Sequence, residues 1–281
     1  MTAIILDGQQ LAQHKRQELA NVCQRLHITP RFVVFLIGSN PASEIYVQRK
    51  QQAACKVGMD CIVKRFDATV EEHLLLKEIK ACNEDAHIHG IIVQLPLPQH
   101  LNASTILEHI DVYKDIDGFH PYNLGRLAIG EPLLRSCTPY GVMQLLEHYQ
   151  IDLKGKNCLI IGASRIVGRP MMLELLAKKA TPTICHSATI NLNAFLKHTD
   201  IIITATGHMD IIDTQALQSH QVLIDVGIHR LPDNRIRGDV NFLVAQQRLA
   251  YITPVPGGVG PMTVTCLLQN VLTARQLQAN R

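Results

Sequence analysis

Hydrophobic residues along this chain fall into two alternating patterns. One is the short, near-continuous apolar run: Phe32-Val-Val-Phe-Leu-Ile37, Gly90-Ile-Ile-Val93 and Asp200-Ile-Ile-Ile-Thr204. Runs this rich in β-branched residues predict strands covered on both faces, as in parallel sheets. The other pattern spaces apolar residues three and four apart, as over Leu11–Leu26, Glu71–Cys82, Pro139–Gln150 and Pro170–Lys178, and predicts helices. Strands are expected at Ile4–Leu6, Phe32–Ile37, Cys61–Phe66 and Gly90–Gln94. A second series follows at Asn157–Ile161, Pro182–Cys185, Asp200–Ala205 and Val222–Val226. With helices filling the gaps, the fold class is α/β with mostly parallel sheets.

The two series are separated by the helical pattern Pro139–Gln150 and the polar break Asp152-Leu-Lys-Gly-Lys156. Two α/β lobes around a cleft are therefore expected, over residues 1–141 and 142–260, the second a Rossmann-like dinucleotide-binding domain. A last helix, about Thr263–Ala279, follows the Gly/Pro-rich loop Pro254-Val-Pro-Gly-Gly-Val-Gly-Pro261. Such a loop can return the chain to the first lobe, so residues 261–281 are expected to complete it. A cleft between lobes is a common meeting place for cofactor and substrate.

Composition narrows the function classes. Net charge is only +3 and no basic run stands out, so no nucleic-acid or membrane-surface partner is expected. No apolar run approaches a membrane span, and the opening Met-Thr-Ala-Ile-Ile-Leu-Asp has neither signal nor transit character. A soluble, cytoplasmic protein is expected. The 8 cysteines are scattered without a C-x-x-C pair, which reads as free, buried thiols such as Cys23, Cys158 and Cys266. Of the 14 histidines, His87 and His89 would share a strand face, but no third ligand is evident and no metal site is expected.

Two segments carry candidate chemistry. In Asn40-Pro-Ala-Ser-Glu-Ile-Tyr-Val-Gln-Arg-Lys50, Asn40 can cap a helix and Pro41 suits its first position, with a stop at Gly58. Tyr46 and Lys50, four apart, then neighbour each other on one face at the carboxyl edge of a sheet. A flat ring beside an amine suits a planar heterocycle undergoing proton chemistry; by itself the pair reads more readily as a plain surface contact. In Asn157-Cys-Leu-Ile-Ile-Gly162-Ala-Ser-Arg-Ile-Val-Gly168-Arg-Pro170, strand, glycine turn and helix follow in the order that aims helix amides at a pyrophosphate. The spacing is not G-x-G-x-x-G, and glycine used only for packing is the competing reading. About twenty residues on, Cys185-His186-Ser187 offers no acid for a ribose 2′-hydroxyl. With Arg165 and Arg169 nearby, that favours NADP over NAD.

Taken in order, the motifs resemble the bifunctional methylenetetrahydrofolate dehydrogenase/methenyltetrahydrofolate cyclohydrolase family over essentially the whole chain. They are Ala42–Lys50, Gly90-Ile-Ile-Val-Gln-Leu-Pro-Leu-Pro98, Lys114-Asp-Ile-Asp-Gly-Phe-His-Pro-Tyr-Asn123, Cys137-Thr-Pro139, Gly162–Pro170 and Pro254–Thr263. The resemblance implies that Tyr46 stacks on the pterin, Lys50 is the amine of the cyclohydrolase step, and Gln94 orients it. It implies that Asp117 binds the amino-pyrimidine end of the folate. Pro256, Gly257, Gly258 and Pro261 resemble part of the family's loop that closes over nicotinamide and folate. Gly162, Ser164, Arg165, Val167, Gly168, His186, Ser187 and Ile228 resemble the NADP site. The first lobe would then be the catalytic, folate-binding domain and the second the NADP-binding domain, in a homodimer.

The activity implied is NADP-dependent oxidation of 5,10-methylenetetrahydrofolate to the 5,10-methenyl cation, followed by hydrolysis to 10-formyltetrahydrofolate. An amine can serve the second step as a general base once burial and a nearby cation favour its neutral form. Many family members carry Arg where this chain has Ala163, so Arg165, or His186 with Ser187, would have to hold the 2′-phosphate. The chain contains no G-x-x-x-x-G-K-[ST], and the ATP-dependent synthetase fused to longer members is expected to be absent. Two other readings are a shikimate-type NADP oxidoreductase and a nucleotide-sensing protein without activity. Neither requires Tyr46 beside Lys50 or the Asp-Ile-Asp-Gly turn.

Overall fold

A computed structural model describes residues 2–280. The chain begins β1 (Ile4–Ile5), α1 (Gly8–Cys23), β2 (Arg31–Ile37), α2 (Pro41–Val57), β3 (Asp60–Phe66), α3 (Glu72–Glu84) and β4 (Gly90–Val93). It continues α4 (Ala103–Glu108), α5 (Pro121–Ala128), α6 (Cys137–His148), β5 (Asn157–Ile161), α7 (Gly168–Ala177), β6 (Thr181–Cys185), α8 (Leu192–Leu196) and β7 (Ile201–Thr204). It ends β8 (Val222–Asp225), the hairpin β9 (His229–Arg230) and β10 (Ile236–Arg237), α9 (Phe242–Ala245), β11 (Tyr251–Ile252) and α10 (Val259–Ala279). Two compact units result. One is His14–Cys137 with the chain from Val264 onward; the other is Thr138–Thr263 with the chain up to Gln13.

The first unit is built on a parallel sheet of order β3-β2-β4, with Val33 beside Ile62 and Ile91. Its central strand is covered on both faces: Phe32 to Ile37 are all buried, as the continuous apolar run requires. Ile79, Ile88, Leu101 and Ile106 from flanking segments close one face with Val33, Phe35 and Ile91. Residues 114–117 then run alongside β4, where the Ile91 amide donates to the Lys114 carbonyl at 2.7 Å. Lys114 is itself buried, and its ammonium caps the end of α3 by donating to the Cys82, Asn83 and Asp85 carbonyls.

The second unit carries a parallel sheet of order β1-β11-β8-β7-β5-β6. From β5 the chain steps to β6 on one side, then returns to β7 on the other. That reversal defines the point where an open α/β sheet binds a ligand, outside the carboxyl ends of the strands. The expectation that Ile4–Leu6 belongs with the first series fails. β1 pairs in parallel with β11, Ile4 beside Tyr251 and Ile5 beside Ile252, and so lies in the six-stranded sheet. A strand of 2 residues carries too little pattern to name its partner, and that partner is another strand of 2 residues. The chain up to Gln13 therefore packs with Thr138–Thr263 rather than with the first lobe.

Candidate active site

Helix α2 is fixed at both ends by its own sequence. The Asn40 side chain accepts from the Ala42 and Ser43 amides at 3.0 and 3.2 Å, Pro41 starts the helix, and Gly58 ends it at φ 80°. Ser43, Val47, Lys50, Ala54 and Val57 form its buried stripe, so helical spacing itself carries Lys50 inward. Only 9% of Lys50 is exposed. A buried ammonium needs partners. Its Nζ donates to Gln94 Oε1 at 3.1 Å and lies 4.0 Å from Asp117 Oδ1. Gln94 follows β4 directly; its amide donates to the Phe35 carbonyl, and its side-chain nitrogen donates to the Leu95 carbonyl. With the nitrogen so engaged, the side-chain oxygen faces Lys50. Tyr46 is half-buried one turn before Lys50, and burial raises its hydroxyl above the usual tyrosine range, against a smaller lowering by Arg49.

The two acids of Asp115-Ile-Asp-Gly118 have different environments. Asp115 is buried and accepts from the Phe119 and His120 amides and from Asn123 Nδ2. It therefore closes the turn. Asp117 has no such hydrogen bonds among the described residues, and its carboxyl is raised by burial while Lys50 pulls it down. Gly118, at φ 72°, leaves no room for a Cβ against the Arg135 and Ser136 backbone, and its carbonyl accepts from the Ser136 hydroxyl at 2.8 Å. Asn270 on α10 locks the same turn from behind, donating to the Ile116 and Arg135 carbonyls at 2.8 Å each. Asn270 was not legible in the sequence as part of this site. The thiols nearby are not nucleophiles: burial pushes Cys61 up to about 12 and Cys137 well above the usual thiol range.

In the six-stranded unit the glycine turn after β5 is sterically required. Gly162 sits at φ 115°, where a Cβ would collide with the Ala205 carbonyl, and a Cβ on Gly168 would collide with the Gly162 carbonyl. Ser164 Oγ accepts from the Val167 and Gly168 amides at 3.1 and 3.3 Å, capping α7, and Arg169 Nε donates to the Ala163 carbonyl. Arg165 is exposed at the tip of the turn. At the end of β6, His186 Nδ1 accepts from the Ala188 amide, which leaves the neutral ring's proton on Nε2; Ser187 is exposed beside it. Ile228, just past β8, is 45% exposed. Pro256, Gly257, Gly258 and Pro261 also belong to this unit. Gly257 stands at φ 109° with its carbonyl accepting from Gln9, while the Gly258 amide donates to the Pro254 carbonyl.

The strand face proposed for His87 and His89 does not form. His87 stands in an exposed turn, and His89 Nδ1 accepts from the Arg31 amide.

Residues 6–117 match the catalytic domain of the family described as tetrahydrofolate dehydrogenase/cyclohydrolase, and residues 136–279 match its NAD(P)-binding domain. This chain belongs to the tetrahydrofolate dehydrogenase/cyclohydrolase family. It is 50% identical to the bifunctional protein FolD of Legionella pneumophila strain Paris over 277 residues, 97% of each chain. The crystal structure of the bifunctional FolD methylenetetrahydrofolate dehydrogenase/cyclohydrolase of Campylobacter jejuni is 42% identical, covering 98% of this chain and 99% of that one, with a TM-score of 0.96. The FolD of Trypanosoma brucei, solved with NADP cofactor and inhibitor, is 33% identical over 100% of both chains with a TM-score of 0.95. Likeness to shikimate dehydrogenase extends to fold alone: the Listeria monocytogenes structure is 14% identical with a TM-score of 0.51.

Proposed function

We propose that this protein oxidises 5,10-methylenetetrahydrofolate with NADP⁺ and hydrolyses the resulting 5,10-methenyltetrahydrofolate to 10-formyltetrahydrofolate. The observation that carries the reading is the buried Lys50 amine, whose Nζ lies 3.1 Å from Gln94 Oε1 and 4.0 Å from Asp117 Oδ1, in a chain of this family. The three-stranded unit is assigned the folate and the six-stranded unit the cofactor. The latter suits a dinucleotide by its topology, since the strand order reverses at β5 and the glycine turn follows that strand, outside the carboxyl ends of the sheet.

NADP⁺, when bound, supplies the hydride acceptor for the one-carbon bridge. The protein's part in that step is placement: Asp117 accepts from the amino-pyrimidine edge and Tyr46 stacks on the pterin. In the second step a water oxygen bonds to the methenyl carbon and gives up a proton to Lys50. The hydroxyl on that carbon then loses its proton as the C=O forms, the bond to N5 breaks with N5 taking one proton, the formyl group stays on N10, and Lys50 releases the remaining proton to solvent. Gln94 cannot take up charge, so it holds Lys50 Nζ in line without competing for the proton. Arg165, or His186 with Ser187, supplies donors for the 2′-phosphate in place of the Arg absent at position 163.

Absorbance assays test this directly. The protein should form NADPH from methylenetetrahydrofolate and NADP⁺ faster than NADH from NAD⁺, and should consume methenyltetrahydrofolate without any nucleotide. A protein that does neither overturns the reading. No described helix is long and apolar enough to cross a membrane. The family resemblance supports a cytoplasmic homodimer, and sedimentation of the purified chain tests the second part.

A further inference from the structure

At and beyond the carboxyl end of β8, two acids lie inside the six-stranded unit with no part in the chemistry above. Asp239 and Asp225 are 0% and 4% exposed. Buried carboxylates are tolerated only when their oxygens are satisfied. Asp225 Oδ1 accepts from the Gly227 and Asp239 amides at 3.0 Å each and from the Thr204 hydroxyl at 3.1 Å; its Oδ2 accepts from the Val240 amide at 2.9 Å. Asp239 Oδ2 accepts from the Thr206 amide at 2.8 Å and the Thr206 hydroxyl at 2.9 Å. Its Oδ1 lies 2.7 Å from His229 Nε2. Two glycines make the room, since a Cβ on Gly227 would strike the Asp239 carboxylate and one on Gly238 the Asp225 carboxylate.

Their place in the sheet gives these bonds a consequence. The chain order reverses at β5, so the crevice for a dinucleotide lies outside the carboxyl ends of β5 and its neighbours. The glycine turn follows β5, and His186 and Ser187 follow β6. The adenosine half of the cofactor is thus assigned to the β6 side. That leaves the nicotinamide half for the β7–β8 side, where the loops carry Thr206 and Ile228. Asp239 grips the first of these loops by two hydrogen bonds to Thr206. It reaches the second through His229, the residue after Ile228. We infer that Asp239 is a positioning residue for hydride transfer, fixing through Thr206 and His229 the two loops that hold the nicotinamide end. The inference rests on the dehydrogenase reading and goes beyond it, because Asp239 itself touches neither substrate nor cofactor.

The test uses the two reactions of one enzyme, since hydrolysis of methenyltetrahydrofolate needs no nucleotide. Asp239→Asn keeps the volume but cannot accept from both Thr206 donors and His229 together. Expected is a fall in dehydrogenase kcat of ~10–100-fold, the scale of a misplaced reacting pair, with the KM for NADP within ~3-fold. Cyclohydrolase activity and Tm should stay near wild type. His229 is on the rim of the network, with 15% of its side chain exposed, and offers variants that will fold. His229→Ala should lower dehydrogenase kcat, and His229→Gln, which keeps a donor, should restore most of it. The inference is overturned if Asp239→Asn lowers both activities and Tm together, if it raises only the KM for NADP, or if it changes nothing. A wild type that oxidises no methylenetetrahydrofolate would instead overturn the functional reading itself.

Discussion

Replacing Lys50 by Met separates the two activities, because each asks something different of that side chain. Met keeps the length and apolar stem, so the stripe of α2 stays filled. What is lost is an amine held at 3.1 Å by Gln94, which in its neutral form accepts the proton of water and in its protonated form places a positive charge 4.0 Å from Asp117. The first loss removes general-base assistance, which is worth about 10²–10⁴-fold, so hydrolysis of methenyltetrahydrofolate should fall by that order. The second acts on Asp117. A unit-charge pair at that separation interacts by about 4 kcal/mol at an effective dielectric near 20. Burial already raises the Asp117 carboxyl and Lys50 opposes it, so without Lys50 it rises further.

A carboxyl that binds folate in its ionised form loses its grip as pH falls through its pKa. The KM for methylenetetrahydrofolate in Lys50→Met should therefore climb on acidification at pH values where wild type is still flat. At alkaline pH dehydrogenase activity should survive, and methenyltetrahydrofolate should accumulate to visible absorbance. Lys50→Arg should restore the charge and the folate KM but not the hydrolysis, since a guanidinium stays protonated. Hydrolysis by Lys50→Met at the wild-type rate would remove Lys50 from the proton transfer. Loss of both activities equally at every pH, with the fold intact by circular dichroism, would make it a binding residue only.

Asp117→Ala should lose folate affinity, each charge-assisted hydrogen bond contributing roughly 1.5–3 kcal/mol, while NADP binding by calorimetry stays within a few-fold. Asp117→Asn should also reveal a conflict between stability and function. Because burial holds the Asp117 carboxyl above its ordinary value, its ionised form weighs against the fold at pH above the folded pKa and not below the ordinary one. The denaturation midpoint of Asp117→Asn should thus gain on wild type at about pH 8 and gain less near about pH 4; the opposite trend would refute the sign. Arg165→Ala should raise the KM for NADP more than that for NAD, and an unchanged ratio would place the 2′-phosphate elsewhere. Gly168→Ala must push a methyl into the Gly162 carbonyl, so thermal unfolding should show a loss of about 1–3 kcal/mol and NADP binding should weaken.

What could be read from the sequence follows from how local each determinant is. The cap at Asn40 and the stop at Gly58 lie within one helix, and both were legible before any fold was known; the burial of Lys50 was not, because the Tyr46–Lys50 spacing alone also fits a surface pair. Strand runs such as Phe32–Ile37 were legible because burial on both faces leaves every position apolar. β1 was misassigned because 2 residues cannot specify a partner 247 positions away, where Ile4 meets Tyr251. The division of labour between Asp115 and Asp117 was suggested only by resemblance. Its physical basis is that Asn123 and two amides consume one acid while the other faces Lys50 alone. Asn270 and Asp239 act across still longer separations, through groups that leave no period in the sequence. Yet Asp239 had a local sign. Asp225-Val-Gly227 and Gly238-Asp239 each set a glycine close to an acid, and in the fold each glycine yields its Cβ space to the other pair's carboxylate. A glycine near an acid just past a buried strand therefore reads two ways, as a turn or as a seat for a carboxylate. The hydrogen-bond count at Asp225 and Asp239 decides for the seat in this chain.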